Sequence, residues 1–459
     1  MKKGTVLLHA VLAVLLAASA PEWPDDWDGL GFVAAVTRFD MEHFAPHAPG
    51  YPVYVAVAKV LAVVVRSPFV AATLVSVLAG VGTFALVRDG ASRVFGAGRG
   101  VVVALAVTCA PLVWRAESGV GSEGLALFFA ALAAWALARE HALWLGLAVG
   151  LGLGVRASWA PLYLALLVLT PRDRLRALGA AATAVAAWAV PFVLMVGPSR
   201  VVTLLSTHLA GHATRWGGTA ITEPGLGRLA DLGRDVFVDG LGAGADPLGI
   251  AVGGASVAVA FVGLTEWRLA GWAGARTAAI ALGPYLVWII FGQNLHQQPR
   301  HALPLVAALA GALALATMSV DRGRRLGVAL FTVVSIRTFA DGHERRTVPP
   351  PGVQLVQAVR ELSAPARVAV FGGPSVRFFE PTNLAQVGHS AGSVGDVRLA
   401  LDRMDALPAR VFVTDELAGY GAPPYPTVPF KRLCRPERID RRAPCLDVVE
   451  LKVPFLPKE

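Results

Sequence analysis

The chain of 459 residues is 55% hydrophobic and 16% charged, with a formal net charge of +9 and a mean hydropathy of +0.58. That balance excludes an ordinary soluble globular domain and describes a polytopic α-helical membrane protein. Nucleic acid is not expected as a partner: the arginines fall in short loops between apolar runs, and no basic patch carries interleaved aromatics.

The first apolar run, 4–20, follows two lysines and ends in Ala-Ser-Ala, so it reads as a span or as a secretory signal. Either leaves the next segment, 21–67, outside. WPDDWDGLGFVAAVTRFDMEHFAPHAPGYPVY, within that segment, and the residue before it bring together Glu22, Asp25, Asp26, Asp28, Asp40, Glu42 and Arg38. Hydrocarbon does not tolerate such charge, so this is a first outer loop at a water-exposed membrane face. Asp28 opens DGLGF, a short helix predicted to lie on the membrane. At the amino-terminal end of that helix, free backbone N–H groups favour an ionised carboxylate able to take a proton from a hydroxyl nucleophile. Asp26 is the alternative base, and a plain N-cap is the structural reading of Asp28. HAPGYP, with His47 and Tyr51, is a rigid turn leading into 51–66. That stretch is read as an interfacial helix with Lys59 snorkelling, because a span there would invert every later loop.

Further apolar runs recur at 68–87, 100–114, 121–138, 142–155, 157–170, 177–197, 247–265, 277–292, 302–319 and 326–339, making about eleven transmembrane helices with the first. The pair 142–155 and 157–170 is split by Arg156 and reads as two half-dipping helices. With a cytoplasmic amino terminus, the inside loops hold 14 Lys and Arg in 40 residues and the outside loops 9 in 111. This positive-inside bias places the loops near Glu117, His212 and Arg300, and everything after 340, on the outer side.

Several outer segments carry candidate chemistry. RAESGVGSEGLALFF gathers Arg115, Glu117, Ser118, Ser122 and Glu123, charges that need only solvation if they sit at helix ends. Arg156, inside apolar sequence, must find an anion or a carbonyl. STHLAGHATRWGGTA brings His208, His212, Arg215 and Trp216 together, and FGQNLHQQPRHALPL holds Gln293, His296, Arg300 and His301. Arginine and histidine at an outer face suit a phosphate. Acid, histidine and arginine converging on one side suggest an enzyme acting on a phosphate-bearing lipid.

From about 345 the composition changes to helix–strand alternation, QLVQAVRELSAPARVAVFGG and then RLALDRMDALPARVFVTDEL, followed by Pro-rich turns and an LDVVELKV strand. This predicts a small α/β extracytoplasmic domain, 345–459, beside a membrane domain, 1–340. FGGPS lacks GxGxxG and reads as a strand-to-loop turn. Cys434 and Cys445 could close a disulfide or remain as two thiols. No CxxC or Cys/His spacing suggests structural zinc.

DWDGLGF, HAPGYPVY, GLGLGVRASWAPL, HATRWGGTA and PRHALPL, in that order on a common face, resemble the GT-C superfamily of membrane glycosyltransferases, in particular bacterial relatives of protein O-mannosyltransferases and aminoarabinose transferases. The resemblance covers roughly 4–340; where relatives have His-Pro-Pro this chain has His47-Ala48-Pro49. It implies a bacterial plasma-membrane enzyme that transfers a sugar from a polyprenyl-phosphate donor to a glycan, lipid or protein acceptor at the outer face. Asp28 would then be the catalytic acid of the first loop, with Asp26 or Asp25 as its replacement. Arg300 and His301 would meet the donor phosphate with help from Arg156. His47, Tyr51, Arg115, Glu117, His212 and Trp216 complete the expected substrate contacts. No cofactor is implied, and a divalent ion on Asp28 and Glu117 stays open. A membrane transporter and a non-catalytic cell-envelope assembly protein are the rival classes.

Overall fold

In the computed structural model, residues 3–170, 172–214, 218–270, 272–296, 298–318, 321–362, 368–371, 385–386, 410–414, 426–436 and 445–452 are described. The chain divides into two compact units, Met1–Pro21 with Gly31–Glu344, and Glu22–Leu30 with Arg345–Glu459.

The helices run in the order α1 Lys3–Ala18, α2 Trp27–Thr37, α3 Pro52–Val65, α4 Pro68–Phe95, α5 Ala97–Thr108, α6 Pro111–Ser118, α7 Glu123–Ala138, α8 Ala142–Val155 and α9 Ala160–Val168. They continue as α10 Arg174–Val196, α11 Pro198–Thr214, α12 Gly227–Arg234, α13 Pro247–Ala270, α14 Trp272–Gly292, α15 Leu303–Met318, α16 Asp321–Thr347 and α17 Pro351–Arg360. Each of the eleven apolar runs is helical over most of its described residues. Among the described residues, Pro68–Phe95, Arg174–Val196 and Pro299–Met318 are each long and apolar enough to cross a membrane, and α5 with α6 passes only as a bent pair.

Local sequence explains the breaks. Proline occupies the first turn of α3, α4 and α6, where its missing N–H costs nothing, and the Ser67 hydroxyl caps α4 by accepting from Val70 N at 3.3 Å. The run expected as one span at 100–114 is not continuous: α5 and α6 meet at a 75° bend. Pro111 is the cause, since the residue before a proline is pushed out of helical geometry, and Ala110 is extended at φ −64, ψ 129. The outer segment 198–246, expected as loop, contains α11 and α12.

α3 is apolar on both its buried and its exposed sides. It buries Val53, Tyr54, Val55 and Ala58 while Val63 and Val64 are 80% and 77% exposed, an apolar face suited to lipid. Elsewhere the larger unit packs helix on helix through small residues, because lipid offers no hydrophobic drive to hold helices together. Gly146 and Gly150 of α8 lie against Ala177, Ala180, Ala181 and Ala184 of α10, and Trp188 Nε1 donates to Gly150 O at 2.9 Å. A Cβ on Gly150 would stand 2.6 Å from Ala184 Cβ, whereas one on Gly179 would meet nothing. Gly150→Val is therefore expected to cost about 1–3 kcal/mol, read as a lowered Tm in detergent, and Gly179→Ala is expected to be neutral or mildly stabilising.

The smaller unit is α/β. β1 Val368–Phe371, β2 Ala385–Gln386, β3 Arg410–Thr414, β4 Thr427–Cys434 and β5 Cys445–Leu451 form a sheet of order β2-β1-β3-β5-β4. β1 is parallel to β2 and β3, while β5 is antiparallel to β3 and β4. Leu355 and Val359 of α17 close the core over Val370, Phe412, Leu433, Leu446 and Val448. β4 lies in what was expected as Pro-rich turns: it is an edge strand whose register shifts between Pro429 and Lys431, where an edge tolerates proline. Arg410 grips Glu450 with two hydrogen bonds of 3.0 and 3.2 Å. Burial alone would raise the Glu450 carboxyl, but the bonds from Arg410 and Lys452 hold it below the usual carboxylate range. Cys434 and Cys445 form a disulfide. FGGPS lies mostly outside the described residues, with only Phe371 of β1 among them.

Candidate functional site

In the larger unit, two arginines share one carboxylate. Glu123 stands in the first turn of α7, where exposed N–H groups favour an acid. Arg156 Nη1 donates to Glu123 Oε1 at 2.8 Å and to Ser122 Oγ at 2.9 Å, and Arg300 Nε lies 3.4 Å from the same Oε1. Arg156 is in extended backbone, φ −151 and ψ 93, between the end of α8 and the 3-10 turn Ala157–Trp159 that leads into α9. Two short helices therefore flank Arg156, and the break between them turns the arginine toward α7.

Arg300 and His301 lie in the 3-10 turn Pro299–Ala302 at the head of α15. Tyr285 of α14 pins this turn by donating from its hydroxyl to His301 O at 2.8 Å. Trp159 packs edge-on to Tyr285, and Tyr163 donates to Ala126 O at 2.9 Å, which ties α9 to α7. Arg156 and His301 are buried, and the Arg300 side chain is 20% exposed. Two guanidiniums against one carboxylate leave a net positive charge, and planar guanidinium forks match phosphate oxygens.

A second group joins the HAPGYP turn to α11. Gly50, at φ +93, and Tyr51, at φ 48, make the reversal, and a Cβ on Gly50 would meet Met41 Sδ and Phe192 at 2.9 Å. The turn sets Tyr51 Oη 2.7 Å from His47 Nε2, with Phe32 packed edge-on against the Tyr51 ring. The His47 ring is 6.0 Å from His208, which is 4.7 Å from His212 one helical turn on. Trp216 and Arg215 lie outside the described residues.

Glu123, not Glu117, holds the arginines. Glu117 is fully buried, neither of its carboxylate oxygens has a hydrogen-bond partner among the described residues, and Gly80 of α4 leaves the space its side chain occupies. Arg115 is half-buried on α6, and Ser118 Oγ donates to Trp114 O at 2.8 Å. Among the described residues no group of three or more His, Cys, Asp or Glu is placed to hold a metal ion.

The acids of the first outer loop differ sharply from one another. Asp26 is the cap of α2: its Oδ1 accepts from Gly29 N at 2.8 Å. Asp28 stands inside the first turn and is buried, so the capping role weighed for it belongs to its neighbour. Asp25 is held by Arg345 and Arg435.

Sequence reasoning missed Arg228 of α12, whose guanidinium donates to Ile290 O, Gly218 O and Gln293 O at 2.6–2.7 Å and so anchors the 218–234 segment to the end of α14. In GLGRLADLGR it looks like one charge on an amphipathic surface helix, and nothing local betrays the three carbonyls.

Apolar helices interrupted at Arg156, followed by a small α/β unit, make a fold that solved structures share. The particular likeness is to ArnT from Cupriavidus metallidurans: its apo structure matches with a TM-score of 0.59 at 14% identity over 99% of each chain. The structure of the same protein bound to undecaprenyl phosphate matches equally, at 0.59 and 14% over 100% of each chain. The apo oligosaccharyltransferase of Archaeoglobus fulgidus matches with a TM-score of 0.50 at 13% identity, over 90% of this chain and 70% of that one. No protein-family model and no curated protein matches the sequence.

Proposed function

We propose that this protein is a membrane glycosyltransferase that moves a sugar from a polyprenyl-phosphate donor to an acceptor at the extracytoplasmic face of the bacterial plasma membrane. The observation that carries the reading is the pair of guanidiniums, Arg156 and Arg300, on the single carboxylate of Glu123. Its support from the comparisons is a shared fold with ArnT, for which a structure bound to undecaprenyl phosphate exists.

The chemistry is a displacement. An acceptor hydroxyl or amine attacks the anomeric carbon, the bond from that carbon to the phosphate oxygen breaks, and the configuration inverts. Polyprenyl phosphate leaves with an added negative charge, which Arg156 and Arg300 neutralise, so no proton need be supplied to the leaving group. The acceptor's proton goes to Asp28, in the first turn of α2. Asp26 is the weaker choice because its carboxylate already caps that helix. His301 assists at the phosphate. His47, Tyr51, His212 and Trp216 are assigned to the sugar, Arg115 and Glu117 to the surrounding substrate contacts. The amino terminus is then cytoplasmic and residues beyond 345 lie outside.

Binding of undecaprenyl phosphate to the purified protein tests the donor half of this reading. Arg300→Ala removes the more exposed guanidinium and is expected to weaken binding by about 10-fold or more, with the decrement shrinking at high salt. Equal binding by the wild type and Arg300→Ala would remove Arg300 from the donor site.

A further inference from the structure

The first-loop segment Glu22–Leu30, which carries Asp28, belongs to the same compact unit as Arg345–Glu459. Within that unit Asp25 is clasped from two sides. Arg345 Nε and Nη2 reach Asp25 Oδ2 at 2.7 and 2.5 Å, and Arg435 Nη1 donates to Asp25 Oδ1 at 3.0 Å. The Arg435 side chain has no exposure, and its Nη2 donates to Arg345 O at 2.6 Å, so one arginine also fixes the backbone of the other. Arg346 lies 3.8 Å from Glu22 on the same segment.

A connecting loop needs none of this. Burying a carboxylate between two guanidiniums carries a desolvation cost that is offset only when geometry is held closely. The holding is visible around Arg435. It follows Cys434, which is disulfide-bonded to Cys445 across the paired strands β4 and β5. Cys434 O accepts from Gln354 Nε2, which also donates to Pro349 O next to α17.

The grip falls beside the residue assigned as base. Asp25 precedes Asp26, the cap of α2, and Asp28 stands in the turn that cap closes. Fixing Asp25 therefore fixes the register and direction of that first turn.

We infer that Arg435, together with Arg345, is a positioning residue that sets the place of the Asp28 carboxylate through Asp25, and that the Cys434–Cys445 disulfide anchors Arg435 for this task. The inference rests on the assignment of Asp28 as base. Arg435 itself touches neither substrate nor base in this scheme.

The test uses the full-length protein as wild type, Arg435→Lys, Arg435→Met, Asp25→Asn and the double variant Arg435→Met/Asp25→Asn. Hydrogen exchange at Gly29 and Leu30, whose amides bond to Asp26, reads the clasp without any assay of transfer. Arg435→Met is expected to speed that exchange about 10-fold or more and leave α4 and α7 unchanged. In transfer kinetics the expected pattern is a kcat loss of about 10- to 100-fold with an unchanged donor KM, partial rescue by lysine, and a double variant no worse than the worse single one. Unchanged exchange at Gly29 and Leu30 in both Arg435→Met and Asp25→Asn overturns the clasp. Faster exchange with wild-type kcat overturns the positioning role. A wild type that transfers no sugar overturns the proposed function instead, and the exchange result still decides the clasp. Asp25→Asn keeps the side chain's shape, so it carries the test if Arg435→Met does not fold.

Discussion

Asp28→Asn is expected to lower kcat for sugar transfer by about 10²- to 10⁴-fold, the usual contribution of a positioned base, while donor binding stays at the wild-type level. Asparagine matches the shape of the carboxylate and cannot accept the proton. Asp28 is buried in the first turn of α2 and Asp26 caps the same turn, so the isosteric change leaves the helix start intact. Asp26→Asn keeps an oxygen for the Gly29 amide and is expected to cost less than about 10-fold, as loss of charge alone at a cap would. Steady-state kinetics on both variants check the ordering. The reverse ordering would move the base to Asp26.

Arg156→Ala is expected to damage the protein twice over. Removing one member of a buried ion pair costs about 3–5 kcal/mol, and Arg300, at 3.4 Å, holds Glu123 less closely than Arg156 does at 2.8 Å. Thermal unfolding in detergent should show the loss, and undecaprenyl-phosphate binding should fall with it. Arg156→Lys separates the two effects. Lysine keeps a charge for Glu123 but lacks the planar fork, so stability is expected to recover further than donor affinity. Full recovery of both would mean that the site needs a charge there and no particular geometry.

How much of this was legible depends on whether a feature is local. Long apolar runs dictate helices, and each of the eleven is helical over most of its described residues. Arg156 announced a break because an arginine in apolar sequence has no other business there, and the 3-10 turn Ala157–Trp159 follows it directly. The bend between α5 and α6 was equally local and was missed, although Pro111 preceded by an extended Ala110 is its whole cause. α11 was also within reach: Val201, Val202, Leu204, Leu205 and Leu209 recur at helical spacing, but histidines and threonines among them disguise the pattern as loop.

The sites were legible only in part, since their partners are remote. Glu123 and Arg156 are 33 residues apart, and Asp25 is 320 residues from Arg345 and 410 from Arg435. No spacing rule joins such pairs. Charge type pointed to Arg156, Arg300 and His301 as phosphate contacts, yet only folding reveals that Glu123 unites the two arginines and that Glu117 packs against α4 without them. Likewise six acids in one loop look alike in sequence, and partners alone separate the clasped Asp25, the capping Asp26 and the first-turn Asp28.

The most direct measurement is transfer of radiolabelled sugar from a panel of polyprenyl-phosphate donors in membranes containing the wild type, Asp28→Asn or no added protein, with extracted glycan, lipid and protein fractions counted separately. The account predicts label in one acceptor fraction for the wild type, from at least one donor, and background counts for Asp28→Asn. Label at background for the wild type with every donor, from protein that still binds undecaprenyl phosphate, would contradict the transferase and favour a carrier of that lipid.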